Sequence, residues 1–260
     1  MVQSLNTKAL LTLASVARRP SLLVPHVAVS NISELNYTAL KERCGIKAVI
    51  FDKDNTLTAP YGMSLHEDAR SGLSHAQSVF GSSNVAIMSN SAGTLDDPEY
   101  KDAAEIEDKL GIAVIRHTEK KPGGLEEVMD HFEVDDAAEL CMVGDRLLTD
   151  IVFGNLHGML TVHTLPLCKG KDNQNDNTVA NIIRKVENTG LYSNWFVGRK
   201  LLASRMEHKY WKGEDYCSLK ISLADPTNLR QSDSASDNGD KDDTGSRNDS
   251  DDGNNQTERR

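Results

Sequence analysis

Gly45-Ile46-Lys47-Ala48-Val49-Ile50-Phe51-Asp52-Lys53-Asp54-Asn55-Thr56-Leu57-Thr58 is the stretch on which the fold turns. Residues 46–51 are almost continuously apolar and are bounded by Gly45 and Asp52. That pattern fits a strand buried on both faces. Outward from it, similar runs predict strands at 84–89, 112–116, 140–143 and 159–163, with helices between them at 65–80, 99–110, 124–132 and 148–156. Parallel strands need a crossover, and the crossover is usually a helix. The expected fold is therefore α/β: a Rossmann-like, doubly wound parallel sheet with helices on both faces. Such sheets bind ligands at the carboxyl ends of their strands.

Each of those ends carries polar groups that a core does not require. The first gives Asp52-Lys53-Asp54-Asn55-Thr56, two carboxylates one residue apart where strand becomes loop. The second gives Ser89-Asn90-Ser91, and the loop after the third gives Lys120-Lys121-Pro122-Gly123-Gly124. The fourth ends in Gly144-Asp145-Arg146-Leu147-Leu148-Thr149-Asp150. Carboxylates suit a hard cation such as Mg²⁺, which prefers oxygen ligands. A hydroxyl and an ammonium suit the oxygens of a phosphoryl group. Thr56 is expected to order the motif loop, Lys120 to be solvated, and His66, His75 and His117 to be surface or satisfied histidines.

In order and spacing these four segments resemble the motifs of the haloacid-dehalogenase-like phosphohydrolases: Asp52-x-Asp54-x-Thr56, Ser89, Lys121 before Pro122, and Gly144-Asp145 followed by Asp150. The resemblance implies that Asp52 is the nucleophile and passes through an aspartyl-phosphate. It implies that Asp54 protonates the leaving oxygen and then takes a proton from the attacking water. Ser89, Asn90 and Lys121 would bind phosphate. Mg²⁺ would be held by Asp52, the backbone carbonyl of Asp54, Asp145 and, directly or through a neighbour, Asp150.

Members of that superfamily often carry a cap domain between the first and second motifs or between the second and third. Here 37 positions separate Asp52 from Ser89 and 32 separate Ser89 from Lys121. One helix and one strand consume each gap, so the fold is expected to be capless and its site open to a phosphate on something large. A narrower resemblance chooses among such substrates. Residues 45–58 with Pro60-Tyr61, the upstream Arg19-Pro20-Ser21-Leu22-Leu23-Val24-Pro25-His26, Ser89-Asn90-Ser91-Ala92-Gly93 and the segment 144–150 are similar to the mitochondrial phosphatidylglycerophosphate phosphatases and their bacterial relatives. The similarity covers roughly residues 15–165, and Lys53-Asp54-Asn55 is its distinguishing feature. It implies hydrolysis of the terminal phosphate of phosphatidylglycerophosphate to give phosphatidylglycerol, the precursor of cardiolipin, on the matrix side of the inner mitochondrial membrane. A phosphoprotein or a soluble phosphate ester is the alternative substrate.

The flanks fit this picture. Residues 1–33 contain Lys8, Arg18 and Arg19, several Ser and Thr and no acidic residue, the composition of a mitochondrial or plastid import segment or of a membrane-proximal one. The phosphatase core is expected over 34–170 and a helical extension over 171–231. Within that extension Leu191, Trp195, Phe196, Tyr210 and Trp211 accompany Arg199, Lys200, Arg205, Lys209 and Lys212, which as a helix would either lie on an anionic bilayer or pack on the sheet with its charges solvated. From 232 to 260, nine acidic residues against four basic ones leave −5 of the chain's formal −10, and this tail is too polar to fold. The remaining charge of about −5 argues against a nucleic-acid partner. No run is long and apolar enough to span a membrane. Cys44, Cys141, Cys168 and Cys217 form no zinc-spaced pair and are expected as free thiols.

Overall fold

A computed structural model describes residues 15–168, 205–212 and 219–220. Six strands, β1 (Val27–Val29), β2 (Ala48–Phe51), β3 (Val85–Ile87), β4 (Ala113–Val114), β5 (Leu140–Gly144) and β6 (Leu160–Thr164), form one sheet in the order β1-β6-β5-β2-β3-β4. Every pairing is parallel. The α-helices that pack against the sheet among the described residues are α1 (Tyr37–Cys44), α2 (Glu67–Phe80), α3 (Lys101–Leu110), α4 (Leu125–Phe132) and α5 (Val152–His157).

The period of two along β2 explains the layering. Val49 and Phe51 point into one apolar layer with Leu40 of α1, Leu73 of α2 and Ile106 of α3. Ala48 and Ile50 point into the other, with Val128 and Phe132 of α4 and Phe153 of α5. All four β2 residues are buried, as a strand covered on both faces requires. From β2 the chain winds outward through β3 and β4, then returns to β5 on its other side. The crevice at this reversal lies above the carboxyl end of β2. Between β2 and β3 the only helix longer than a single turn is α2, and between β3 and β4 it is α3, so neither gap holds a cap.

Two boundaries move. The segment expected to be import-like or membrane-proximal contains β1, whose Val27 pairs with Val162 of β6, and Leu22, Val24 and Val27 are fully buried. The folded core therefore starts before residue 34. α1 was also not anticipated, although it has a polar start and a glycine stop. The Asn36 side chain accepts from Ala39 N–H, and Gly45 closes the helix at φ 65°, a conformation favourable to glycine.

The second correction concerns the expected helical, membrane-facing extension. Residues 205–212 contain no helix. They form a strap whose Trp211 is buried in the core and whose His208 Nε2 bonds the Ala138 carbonyl at 2.9 Å. Lys209 and Tyr210 both donate to the Asp136 carboxylate. Trp211 is thus taken up by the protein's own core, while Lys209 remains exposed and pairs with Asp136. Further on, Leu219 is buried and its carbonyl accepts from Asn36 N–H. Leu191, Trp195, Arg199, Cys217 and the acidic tail lie outside the described residues. No helix among the described residues is long and apolar enough to cross a membrane, and Cys44, Cys141 and Cys168 are free thiols.

Candidate active site

Asp52 follows β2 directly, and its N–H donates to the Val143 carbonyl of β5 at 2.8 Å, which fixes it at the reversal point. Asp145 follows β5. Asp150 lies in a turn of π-helix, Leu147–Ile151, that leads into α5; such turns are frequent at functional sites. Carboxylate oxygens of Asp52, Asp145 and Asp150 lie within 4.8 Å of one another, and all three residues are buried. Gly144 makes this possible, because a Cβ there would sit 2.3 Å from Asp150 Oδ2.

Lys121 closes the cluster. Its ammonium lies 2.6 Å from Asp52 Oδ1 and 2.6 Å from Asp150 Oδ1, and it donates to the Met88 carbonyl at 2.8 Å. Burial works against the charged form of Lys121, but Asp150 and Asp52 outweigh it and hold its pKa above the ordinary lysine value. Burial raises Asp52 above the usual carboxylate range; Lys121 opposes that rise and Asp150 adds to it. Three buried carboxylates thus converge on one buried ammonium, and the Arg146 charge also acts on Asp52. That donor set, hard carboxylate oxygens within reach of one another, fits a divalent cation of the Mg²⁺ type.

The other expected residues lie on the loops that carry Asp52 and Lys121 or on the loop after β3. Ser89 is buried and its Oγ lies 3.1 Å from Ser91 Oγ. The Asn90 side-chain oxygen accepts from Lys121 N–H at 2.8 Å, tying the loop after β3 to the lysine loop. The Asp54 carboxylate stands outside the three-carboxylate cluster. Its Oδ1 accepts from Lys53 Nζ at 2.7 Å and from Tyr61 N–H at 2.9 Å. Lys120, as expected, is half-exposed, and it pairs with Asp96.

Comparison with known proteins gives a consistent result. Residues 7–167, more than half of the chain, match the family described as mitochondrial PGP phosphatase. The chain belongs to that family. It is 48% identical over 149 residues to the chloroplastic phosphatidylglycerophosphate phosphatase 1 of Chlamydomonas reinhardtii, an alignment covering 56% of this chain and 54% of the relative. It is 41% identical over 173 residues to the chloroplastic/mitochondrial phosphatidylglycerophosphate phosphatase 1 of Arabidopsis thaliana, covering 65% of this chain and 49% of the relative. The mitochondrial phosphatidylglycerophosphatase of Saccharomyces cerevisiae is 34% identical over 158 residues, with 59% of this chain and 84% of the relative covered. The chain thus spans about half the length of the algal and plant relatives. No solved structure matches it.

Four residues of this PGP phosphatase family member support the site although the sequence reading gave them no such role. His117 bridges the Ser89 carbonyl (2.9 Å) and the Glu119 carbonyl (2.6 Å), joining the strand end of Ser89 to the loop of Lys121. His163 Nε2 donates to the Asp145 carbonyl at 3.1 Å. Asn55 sits at φ 63°, a region Asn tolerates better than most residues. Its Oδ1 and its carbonyl accept from Cys168 and Leu167 N–H, clipping the chain after β6 onto the motif loop. Lys53, a lysine inside an acidic motif, is buried; that charge was the one available sequence signal.

Proposed function

We propose that the chain is a Mg²⁺-dependent phosphatidylglycerophosphate phosphatase working through an aspartyl-phosphate. The observation that carries this reading is the buried cluster of Asp52, Asp145, Asp150 and Lys121 at the sheet reversal, in a chain of the PGP phosphatase family. Asp52 attacks phosphorus and the bond to the ester oxygen breaks. Asp54 gives that oxygen its proton, so the alcohol leaves neutral. Water then attacks the aspartyl-phosphate, Asp54 takes its proton back, and inorganic phosphate departs as the Asp52 carboxylate is restored. Ser89 and Lys121 hold the phosphoryl oxygens. Asp52, Asp145, Asp150 and the Asp54 carbonyl would hold Mg²⁺, which when bound supplies positive charge that screens nucleophile from phosphate.

A lipid substrate is supported by the absence of a cap and by the rim. Tyr61 and Leu95, 61% and 70% exposed, are the most exposed large apolar side chains among the described residues, and both lie on loops leaving the carboxyl edge. A site so rimmed can approach a bilayer and take a phosphate from its surface. The relatives' names point to a mitochondrion or plastid, and we place the reaction on the matrix side of the inner mitochondrial membrane or its plastid equivalent.

The decisive test is phosphate release from phosphatidylglycerophosphate in mixed micelles, beside glycerol 3-phosphate and a phosphopeptide, with Mg²⁺ or with EDTA. Mg²⁺-dependent preference for the lipid is expected, with loss of at least ~10³-fold in Asp52→Asn. Equal turnover of the soluble ester or the phosphopeptide would remove the lipid substrate, and turnover by Asp52→Asn would remove the nucleophile.

A further inference from the structure

Lys53 occupies the position between the two motif carboxylates, and its side chain is 4% exposed. A buried ammonium is costly unless its donors are satisfied. Here Nζ donates to Asp54 Oδ1 at 2.7 Å and to the Gly62 carbonyl at 2.8 Å, with Thr58 Oγ1 at 3.4 Å. Tyr61 N–H donates to the same Asp54 oxygen at 2.9 Å. The ammonium therefore holds one oxygen of Asp54 and, through Gly62, the loop that brings Tyr61 N–H to that oxygen. The Asp52 carboxylate, one residue before Lys53, takes its cation from Lys121 instead. Each motif carboxylate thus has its own buried lysine.

We infer that Lys53 is a positioning residue for Asp54. With Tyr61 N–H it anchors Oδ1 and reserves Oδ2 for the proton that goes first to the leaving oxygen and then returns from water. A carboxylate free to rotate about its terminal torsion presents either oxygen over a broad range of angles; one anchored by two donors presents a single oxygen in one direction, which is what proton transfer within hydrogen-bond reach demands. This inference rests on the proposed acid–base role of Asp54.

Leaving-group chemistry separates positioning from bracing. Departure of an alkoxide needs a proton from Asp54, whereas p-nitrophenolate departs without one. With enzyme in excess and Mg²⁺ present, release of the leaving group in a single turnover reports only the first half-reaction, attack by Asp52 with any proton that Asp54 gives the leaving oxygen, and not hydrolysis of the aspartyl-phosphate. Lys53→Met is expected to slow alcohol release from an alkyl phosphate (phosphatidylglycerophosphate, or glycerol 3-phosphate) by at least ~10-fold while changing p-nitrophenol release from p-nitrophenyl phosphate by less than ~3-fold. Lys53→Arg, which keeps a charged donor, should recover part of the loss. In an Asp54→Asn background Lys53→Met should add nothing, because the two residues act as a unit.

Equal losses on both esters, or an added loss in the Asp54→Asn background, would make Lys53 a brace for the loop and overturn the inference. Should Lys53→Met not fold, Lys53→Gln carries the same comparison. If Asp54→Asn itself slows both esters equally, the acid role of Asp54 fails and the inference with it; if phosphatidylglycerophosphate is not hydrolysed but glycerol 3-phosphate is, only the lipid reading fails.

Discussion

The two edges of the sheet bury polar groups to the same depth and treat charge in opposite ways. At the carboxyl edge, three carboxylates, Asp52, Asp145 and Asp150, are packed with the Lys121 ammonium, 2.6 Å from both Asp52 and Asp150. At the amino edge, His26 and His208 are equally buried, their rings 5.7 Å apart and Trp211 beside them. There the groups are held neutral. Burial, with His208 and Arg205 adding to it, pushes His26 down to about 3, and burial lowers His208 as well. His26 Nδ1 lies 2.8 Å from Thr161 Oγ1, a contact between neutral groups. The fold thus holds buried groups neutral at one edge and gathers carboxylates and an ammonium at the other, where the proposed reaction would bring a cation and a phosphoryl group. Polar burial at the amino edge holds its histidines neutral, whereas at the carboxyl edge it gathers carboxylates around an ammonium.

The largest effect expected from that contrast is on removing Lys121. Lys121→Met leaves Asp52 and Asp150 buried without their partner, and truncating one side of such a cluster costs about 3–5 kcal/mol. Mg²⁺ should return part of that loss, because the remaining carboxylates still attract a dication. Chemical denaturation with Mg²⁺ and with EDTA measures both. A variant as stable as the parent in EDTA would erase the distinction between the edges. At the amino edge the corresponding change is apolar. Trp211→Ala should cost about 3 kcal/mol through lost packing and leave turnover of the folded enzyme within about 2-fold, independent of Mg²⁺. Impaired turnover at full folding would show that the strap communicates with the site.

The edges also differ in how far the sequence exposed them. Asp52, Asp145 and Asp150 were legible because an acidic residue straight after an apolar strand is anomalous for a core. Ser89 and Lys121 were legible because their order matched a known set of motifs. The central strands followed from continuous apolar runs, since burial on both faces leaves no polar interruption. β1 escaped notice because three residues, Val27–Val29, carry no period to detect, and the hydroxyl-rich, basic stretch before them has a composition of its own. The strap failed for a different reason. Tyr210 and Trp211 beside Lys209 and Lys212 look amphipathic in sequence, but Lys209 and Tyr210 bond Asp136 and Trp211 lies against His26, long-range contacts that no local pattern encodes. Lys53 illustrates the same limit inside the site. Its charge was visible, whereas its bond to the Gly62 carbonyl depends on how the loop folds back.

The smallest expected effect is one of slope. His26 titrates at 6.5 when unfolded and at about 3 when folded, so between those values the unfolded chain binds the proton and the folded chain does not. Stability supplied by neutral His26 is complete above pH 6.5 and is lost as pH falls through this window, by about 1 kcal/mol between pH 6.5 and 5.5. Asp52 has the opposite sign. Its folded pKa is raised, so above about pH 4 the folded chain holds a proton more readily than the unfolded one, and this contribution grows as pH falls. The whole-chain profile therefore mixes both edges. The difference between the parent and His26→Asn cancels the site and isolates the amino edge: denaturation free energies from pH 7.5 to 5.0 should fall less steeply in the variant. Parallel profiles would mean that His26 takes up a proton in the folded chain, and that the amino edge buries charge as the carboxyl edge does.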